Sequence, residues 1–203
     1  SKSDRNFYYI PEGGKVIIDY GSDSSHALGQ QVFVGFCVTG DTKLVTEFGL
    51  VEIQDYEDRP IRVLQYDPIT NSERYSTARV IKTKYVQDLI EVNLIDGSVF
   101  RCTPEHRIML QNQKWIPAKF LSDGDTLKCT DYGAGISIYH VDRLHYDSPV
   151  PVYDVVGAAP NHNFIVQCGH RLVFHNCDEM NFSKAGVKDV NKAKEHMKDL
   201  YNT

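Results

Sequence analysis

Between Cys37 and Cys129, apolar and polar residues alternate in short runs rich in β-branched and aromatic side chains, and turn residues interrupt the runs roughly every ten positions. Successive side chains of a strand point to opposite faces, so this rhythm predicts half-buried strands. Arg62-Val63-Leu64-Gln65-Tyr66 passes through Asp67-Pro68 and Thr70-Asn71 into a long run from Arg74 to Tyr85, which predicts a hairpin. Leu89 to Leu94 faces Ser98 to Cys102 across Asp96-Gly97, two residues that tolerate positive φ and suit a tight hairpin turn. After Gly133-Ala134-Gly135, Ile136 to Leu144 predicts another strand. Upstream, Val16-Ile17-Ile18 and Val32-Phe33-Val34 sit among glycines and serines and predict two or three strands with no core of their own. Past Cys177 the period changes: Val190, Ala193, Met197 and Leu200 fall at helical spacing within Val187 to Tyr201, with Asp189 as N-cap. The expected fold class is therefore all-β, with short flanks and a C-terminal helix.

Two faint internal echoes run through the β region. Thr39-Gly40-Asp41-Thr42 recurs as Asp123-Gly124-Asp125-Thr126, and Gly49-Leu50-Val51-Glu52-Ile53 matches Lys114-Trp115-Ile116-Pro117-Ala118 in its place before a turn. Trp115, the only tryptophan, is expected in the core.

A chain that is 41% hydrophobic and 24% charged reads as an ordinary globular protein. No apolar run approaches the ~20 residues of a membrane span and no signal-peptide pattern opens the chain, so a cytoplasmic location is expected. A net charge of -5 with mixed signs predicts no nucleic-acid footprint. Five cysteines, an odd number, argue for reduced thiols rather than a disulfide framework. Cys102, Cys129 and Cys168 alternate with apolar residues and are expected in the core. Neither Cys168-Gly169-His170 nor His175-Asn176-Cys177 has the ligand gap of a structural zinc site, and no cofactor is expected. Gly13-Gly14-Lys15 lacks the longer glycine loop and following hydroxyl of a phosphate loop.

The chemistry is concentrated at His175-Asn176-Cys177, which ends the apolar run Leu172-Val173-Phe174. An asparagine amide can attack its own main-chain carbonyl, closing a succinimide and cutting the chain after Asn176. A neighbouring imidazole can move the protons, and a thiol immediately downstream can accept an acyl group. Far upstream lies Cys37-Val38-Thr39-Gly40-Asp41-Thr42; between them lie Thr103-Pro104-Glu105-His106, Val152-Tyr153-Asp154-Val155-Val156 and His162-Asn163-Phe164.

In this order, these segments resemble those of an intein, a self-splicing member of the hedgehog/intein (Hint) family. The resemblance covers Cys37 to Asn176, with Cys177 at the acceptor position. It implies a horseshoe-shaped β fold with pseudo-twofold symmetry, a splicing domain over 37–176, an N-extein segment over 1–36 and a C-extein segment over 177–203. It implies autocatalytic, single-turnover splicing in three steps. Cys37 takes the acyl group from Phe36, with His106 protonating the leaving nitrogen and Thr103 orienting the peptide. Cys177 then receives the acyl group, with Asp154 serving one sulfur and then the other. Asn176 finally cyclises, with His175 moving the protons and His162 as an assisting residue. The partners are the chain's own exteins, in a monomer, and about 140 residues leave no room for the homing endonuclease that many inteins carry near residues 131–150. Phe174 departs from the smaller aliphatic residue usual at its position, and Cys102 beside Thr103 is a second departure. Joined, the flanks run Val32-Phe33-Val34-Gly35-Phe36 into Cys177-Asp178-Glu179, which resembles a Walker B strand and, more widely, a phage large terminase. That implies Asp178 for Mg²⁺ and Glu179 for water in the host, with no ATP hydrolysis by these flanks alone. The rival readings are Hint-type cleavage without ligation and a non-catalytic all-β module; a quick Cys37 thiol among slow core thiols is expected to separate them.

Overall fold

The computed structural model describes Tyr9–Ile10, Val16–Ile17 and residues 37–176. The chain divides into two units, Phe36–Cys177 and a second composed of Ser1–Gly35 with Asp178–Thr203. In the second unit, β1 (Tyr9–Ile10) and β2 (Val16–Ile17) pair antiparallel. The C-terminal helix expected over 187–201 lies outside the described residues.

The larger unit is built from strands. In chain order they are β3 (Val38–Thr39), β4 (Lys43–Thr46), β5 (Gly49–Glu52), β6 (Pro60–Asp67), β7 (Ser72–Leu94), β8 (Val99–Cys102), β9 (Arg107–Met109), β10 (Trp115–Pro117), β11 (Thr126–Leu127), β12 (Ile136–Val156), β13 (Asn163–Cys168) and β14 (His170–His175). Two 3₁₀ turns, Ile53–Tyr56 and Ala118–Phe120, follow β5 and β10. All pairings between these strands are antiparallel, in the order β10-β9-β14-β13-β4-β6-β7-β8-β3-β12-β11 with β5 beside β4. No α-helix occurs among the described residues.

Local chemistry accounts for the hairpins. At the β6–β7 turn, the Asp67 carboxylate accepts the Ile69 N–H at 2.9 Å, and Asn71 adopts φ +57°, a conformation asparagine tolerates. At the β7–β8 turn only Gly97, at φ +90°, is left-handed; Asp96 instead accepts the Ser98 N–H through its side chain at 2.9 Å. The sequence pattern divides Arg74–Tyr85 from Leu89–Leu94, and Ile136–Leu144 from Val152–Val156. In the structure each pair is one continuous strand, β7 of 23 residues and β12 of 21. They pair from Ile138↔Leu94 to Val156↔Arg79, with register shifts at Ile138/His140, His145/Val150 and Val152/Tyr153. Each shift resets the alternation of faces, which breaks a continuous strand into what reads as separate runs.

The unit also repeats itself. The succession strand, strand, 3₁₀ turn, strand, long strand occurs as β4–β5 to β7 and again as β9–β10 to β12. Ile53 donates its N–H to Thr42 O at 2.9 Å, and Ala118 donates to His106 O at 2.8 Å. Gln54 donates to Gly40 O at 3.1 Å, and Lys119 to Pro104 O at 2.9 Å. The second sequence echo, Gly49–Ile53 with Lys114–Ala118, therefore marks the repeat. The first does not: the turn equivalent to Thr39–Thr42 is Thr103–His106, and each closes with a bond between its ends, Thr42 N–H to Thr39 O at 3.1 Å and His106 N–H to Thr103 O at 3.0 Å. The main core gathers residues from both copies, including Val38, Leu44, Ile53, Ile108, Ala118 and Phe174. Burying such side chains stabilises the unit by about 1.5–3 kcal/mol each.

Candidate functional site

Cys37 enters the sheet just before β3, which pairs with β8 through Val38↔Cys102 and with β12 through Val38↔Tyr153 and Thr39↔Val152. The residue is fully buried. Its N–H, the nitrogen of the Phe36–Cys37 peptide, donates to Thr103 Oγ1 at 3.0 Å. The Thr103 N–H donates to Cys37 O at 2.9 Å, and the Thr103 hydroxyl donates to the same oxygen at 3.3 Å. Thr103 therefore grips Cys37 from both ends of its backbone.

The sulfur has its own neighbours. Cys37 Sγ lies 2.8 Å from Thr83 Oγ1 on β7. Asp154, on β12 and 1% exposed, accepts the N–H of Val155 at 2.7 Å through Oδ1. Burial first, and then the Asp154 charge, push the Cys37 thiol up to about 12, while Lys84 and the Thr83 hydrogen bond pull it down. This corrects the expectation of a quick Cys37 thiol. Burial also raises Cys102, Cys129 (to about 12) and Cys168 (to about 11), so every described thiol is suppressed and thiol titration does not single out Cys37. Cys102, Cys129 and Cys168 are buried, as their alternation with apolar residues predicts.

His106 completes the turn that begins at Thr103. It is fully buried, with its ring centroid 5.1 Å from that of Phe174 and 6.1 Å from that of Phe164. Phe174, whose size departs from the family pattern, thus walls the imidazole. It pairs with Ile108 of β9 while β14 runs on towards Asn176. One four-residue turn consequently holds the backbone of Cys37 at its start and packs against the strand delivering Asn176 at its end.

At the other junction, Asn176 is fully buried and its N–H donates to His162 O at 3.1 Å. His162 stands at φ +56° and donates its own N–H to Ala158 O at 2.9 Å, so its contribution here is a main-chain carbonyl. His175 Nδ1 lies 2.7 Å from Asn176 O. A carbonyl only accepts, so Nδ1 carries the proton in this contact. The His175 ring also meets Trp115 in a T-shaped contact, centroids 4.9 Å apart. Asn163 ties the base of this corner to β6, accepting the Tyr66 N–H at 2.8 Å and donating to Tyr66 O at 2.9 Å. Cys177 lies outside the described residues.

Thr83 lies outside every motif of the sequence, and the packing of Phe164 and Phe174 on His106 and of Trp115 on His175 was not among the expectations. Trp115 was expected simply in the core; it is half-buried and packs on Val45, Leu64 and their neighbours as well as on His175. Among the described residues, no group of three or more His, Cys, Asp or Glu side chains is placed to hold a metal ion. No described helix is long and apolar enough to cross a membrane.

Solved structures with the same architecture now bear on the fold. A bacterial intein-like domain from Clostridium thermocellum superposes with a TM-score of 0.61 at 22% identity, covering 70% of this chain and 98% of that one. The fold is the Hint fold of inteins. A DnaB intein from Synechocystis gives a TM-score of 0.56 at 18% identity, over 70% of this chain and 98% of that one. The TvoVMA intein gives 0.56 at 21% identity with the same coverages. No family model matches the sequence. Among curated proteins, a ribonucleoside-diphosphate reductase large subunit of Invertebrate iridescent virus 6 is 35% identical over 74 residues, 36% of this chain and 7% of that protein. The chain thus spans a small part of the length of that relative.

Proposed function

We propose that residues 37–176 form an endonuclease-free intein that excises itself and joins residues 1–36 to residues 177–203. The observation that carries this reading is the Thr103–His106 turn, which touches both ends of the unit: Thr103 on the Cys37 backbone, and His106 against Phe174, two residues before Asn176. The Hint fold of the solved neighbours supports it.

In the first step, the Cys37 sulfur bonds to the Phe36 carbonyl carbon, the peptide C–N bond breaks, and the thiol proton is balanced by one arriving on the Cys37 nitrogen. Thr103 holds that N–H, and His106 supplies the proton as general acid, a contribution of roughly 10²–10⁴ in rate. Holding sulfur and carbonyl in register contributes about 7–11 kcal/mol of the barrier in well-aligned systems. In the second step Cys177 displaces Cys37 at the acyl carbon, and Asp154, the buried charge beside Cys37, takes the proton of the Cys177 thiol and returns it to the departing Cys37 sulfur. In the third, the Asn176 side-chain nitrogen attacks the Asn176 carbonyl carbon and the bond to Cys177 breaks. His175 Nδ1–H points at that carbonyl oxygen and stabilises the charge that develops there. The thioester left at Cys177 then shifts to its own amine and becomes an amide.

Alanine at Cys37, Asn176 or Cys177 tests this by intact mass. Each variant should abolish joined product, and the appearance of joined flanks in any of them contradicts the mechanism. Released flanks that never join identify cleavage without ligation instead. For the flanks, we propose a terminase-like host: joining Phe36 to Cys177-Asp178-Glu179 places two carboxylates directly after the apolar sequence run Val32-Phe33-Val34-Gly35-Phe36. A phosphate-loop sequence upstream of Ser1 in the full reading frame sustains that host, and its absence there refutes it.

A further inference from the structure

We propose that Thr83 is a catalytic residue of the first acyl shift: its hydroxyl accepts the Cys37 S–H in the resting thiol and turns to donate to the sulfur as negative charge forms there. The inference rests on the splicing reading above and extends it to a residue outside all its motifs. Its ground is a bulge. On β12, Val152 pairs with Lys84 of β7 but the next residue, Tyr153, pairs with Lys82, so the ladder skips Thr83, as it skips Gln87 at the His145/Val150 shift. A bulge of this kind frees one residue from pairing and re-aims its side chain. The same two residues of β12 pair on their other side with β3, Val152↔Thr39 and Tyr153↔Val38, immediately after Cys37. The irregularity therefore sits where the reactive cysteine enters the sheet, and it delivers Thr83 Oγ1 to 2.8 Å from Cys37 Sγ.

The second bond of that hydroxyl explains how it serves both states. Thr83 Oγ1 donates to the main-chain oxygen of Val152 at 3.3 Å, a long bond. While its proton is engaged there, the oxygen presents lone pairs to the sulfur, and the thiol must be the donor. When the thiol loses its proton, a rotation about one side-chain bond exchanges the long bond to Val152 for a charge-assisted bond to the thiolate. Nothing is consumed in this exchange. The sulfur forms its bond to the Phe36 carbonyl carbon, the C–N bond of Phe36–Cys37 breaks, and the proton balance is that of a simple isomerisation. Lys84, the next residue, contributes positive charge to the same sulfur, against the burial and the Asp154 carboxylate that suppress it. β7 thus carries the groups that favour the thiolate, and β12 carries Asp154, which opposes it until a proton can move.

The test uses the full chain with Asn176→Ala and Cys177→Ala, which leaves only the first step, read as cleavage after Phe36 by an added small thiol. Thr83→Val keeps the shape and removes the hydroxyl; Thr83→Ser restores the hydroxyl without the methyl. The rate near neutral pH should fall about tenfold in Thr83→Val, with its pH profile displaced to higher pH, and should return to within about threefold in Thr83→Ser. The rate at which Cys37 is alkylated as pH rises, read by peptide mass, should shift upward in parallel. An unmoved pH profile in Thr83→Val, or Thr83→Ser falling as far as Thr83→Val, overturns the proposal, because a residue that only shapes the bulge has no reason to move a titration. If the Thr83-containing parent shows no thiol-dependent cleavage at all, the splicing reading fails. The alkylation profile then still decides whether Thr83 governs the sulfur.

Discussion

The turns Thr39–Thr42 and Thr103–His106 are built on one scaffold and put to different uses. Both close through a bond from the fourth residue to the first, and both accept two N–H groups from a following 3₁₀ turn. In the first, the leading threonine hydroxyl donates to Asp41 within its own turn at 2.7 Å, and the turn borders an open groove of about 330 Å³ with Lys43, Ser98 and Arg101. In the second, the leading threonine hydroxyl receives the N–H of Cys37, and the fourth residue is an imidazole enclosed by Phe164 and Phe174. Hydrogen-bond geometry alone does not make a turn reactive. In the proposed splicing mechanism, what abuts the turn decides its use: a buried backbone junction on one side and an aromatic wall on the other.

Substitutions at matched positions sharpen this contrast. His106→Ala should produce the largest effect, a loss of roughly 10²–10⁴ in thiol-induced cleavage after Phe36, measured in the stalled double variant Asn176→Ala, Cys177→Ala. Thr42→Ala, its counterpart, should leave that rate within about twofold. Equal losses at the two positions would mean that both turns act only as scaffold. Thr103→Val should slow the same cleavage by about ten- to a hundredfold, since a hydrogen bond on the reacting peptide is lost from a buried site. Thr39→Val should cost less than about 1 kcal/mol of stability in urea unfolding and nothing in cleavage, because its bond to Asp41 is exposed and local and its bond to Arg101 O, at 3.5 Å, is long.

Burial at the Cys37 junction also has a signature in stability. The folded thiol titrates near 12 instead of 9.0, so between those values the unfolded chain has released a proton that the folded chain still holds. The Cys37 contribution is therefore fully present below pH 9 and is lost as pH rises towards 12, by an amount on the order of a few kcal/mol. In the stalled chain, Cys37→Ala should flatten the fall of urea midpoints above pH 9; identical curves would contradict a buried Cys37. A smaller effect is expected at the second junction. Trp115→Ala frees the His175 ring and should slow cleavage after Asn176 about tenfold while leaving the Phe36 cleavage unchanged.

The fold was legible where turn chemistry is local. Asp67 with Asn71, and Gly97, mark hairpins that the structure contains. The full length of β7 and β12 was not legible, because three register shifts reset the alternation by which strands are read. The repeat was half legible: Gly49–Ile53 and Lys114–Ala118 retain a common apolar pattern, whereas Thr39–Thr42 and Thr103–His106 share main-chain bonds and little side-chain chemistry. Of the site, the motif residues Cys37, Thr103, His106, Asp154, His175 and Asn176 stood out by type and order. Thr83 did not, since its contact spans 46 positions and depends on a bulge that leaves no local pattern. Nor did the suppressed Cys37 thiol, which follows from burial and from a carboxylate on another strand.

The central claim is that the unit's two ends are cut and its flanks joined by groups held within residues 37–176 and Cys177. Intact-mass measurement of the reduced, unmodified chain over time tests it most directly. The account predicts a falling precursor mass matched by two rising species, residues 37–176 ending in a succinimide and residues 1–36 joined to 177–203. A precursor that persists unchanged under reducing conditions, or flanks that are released and never joined, would contradict it.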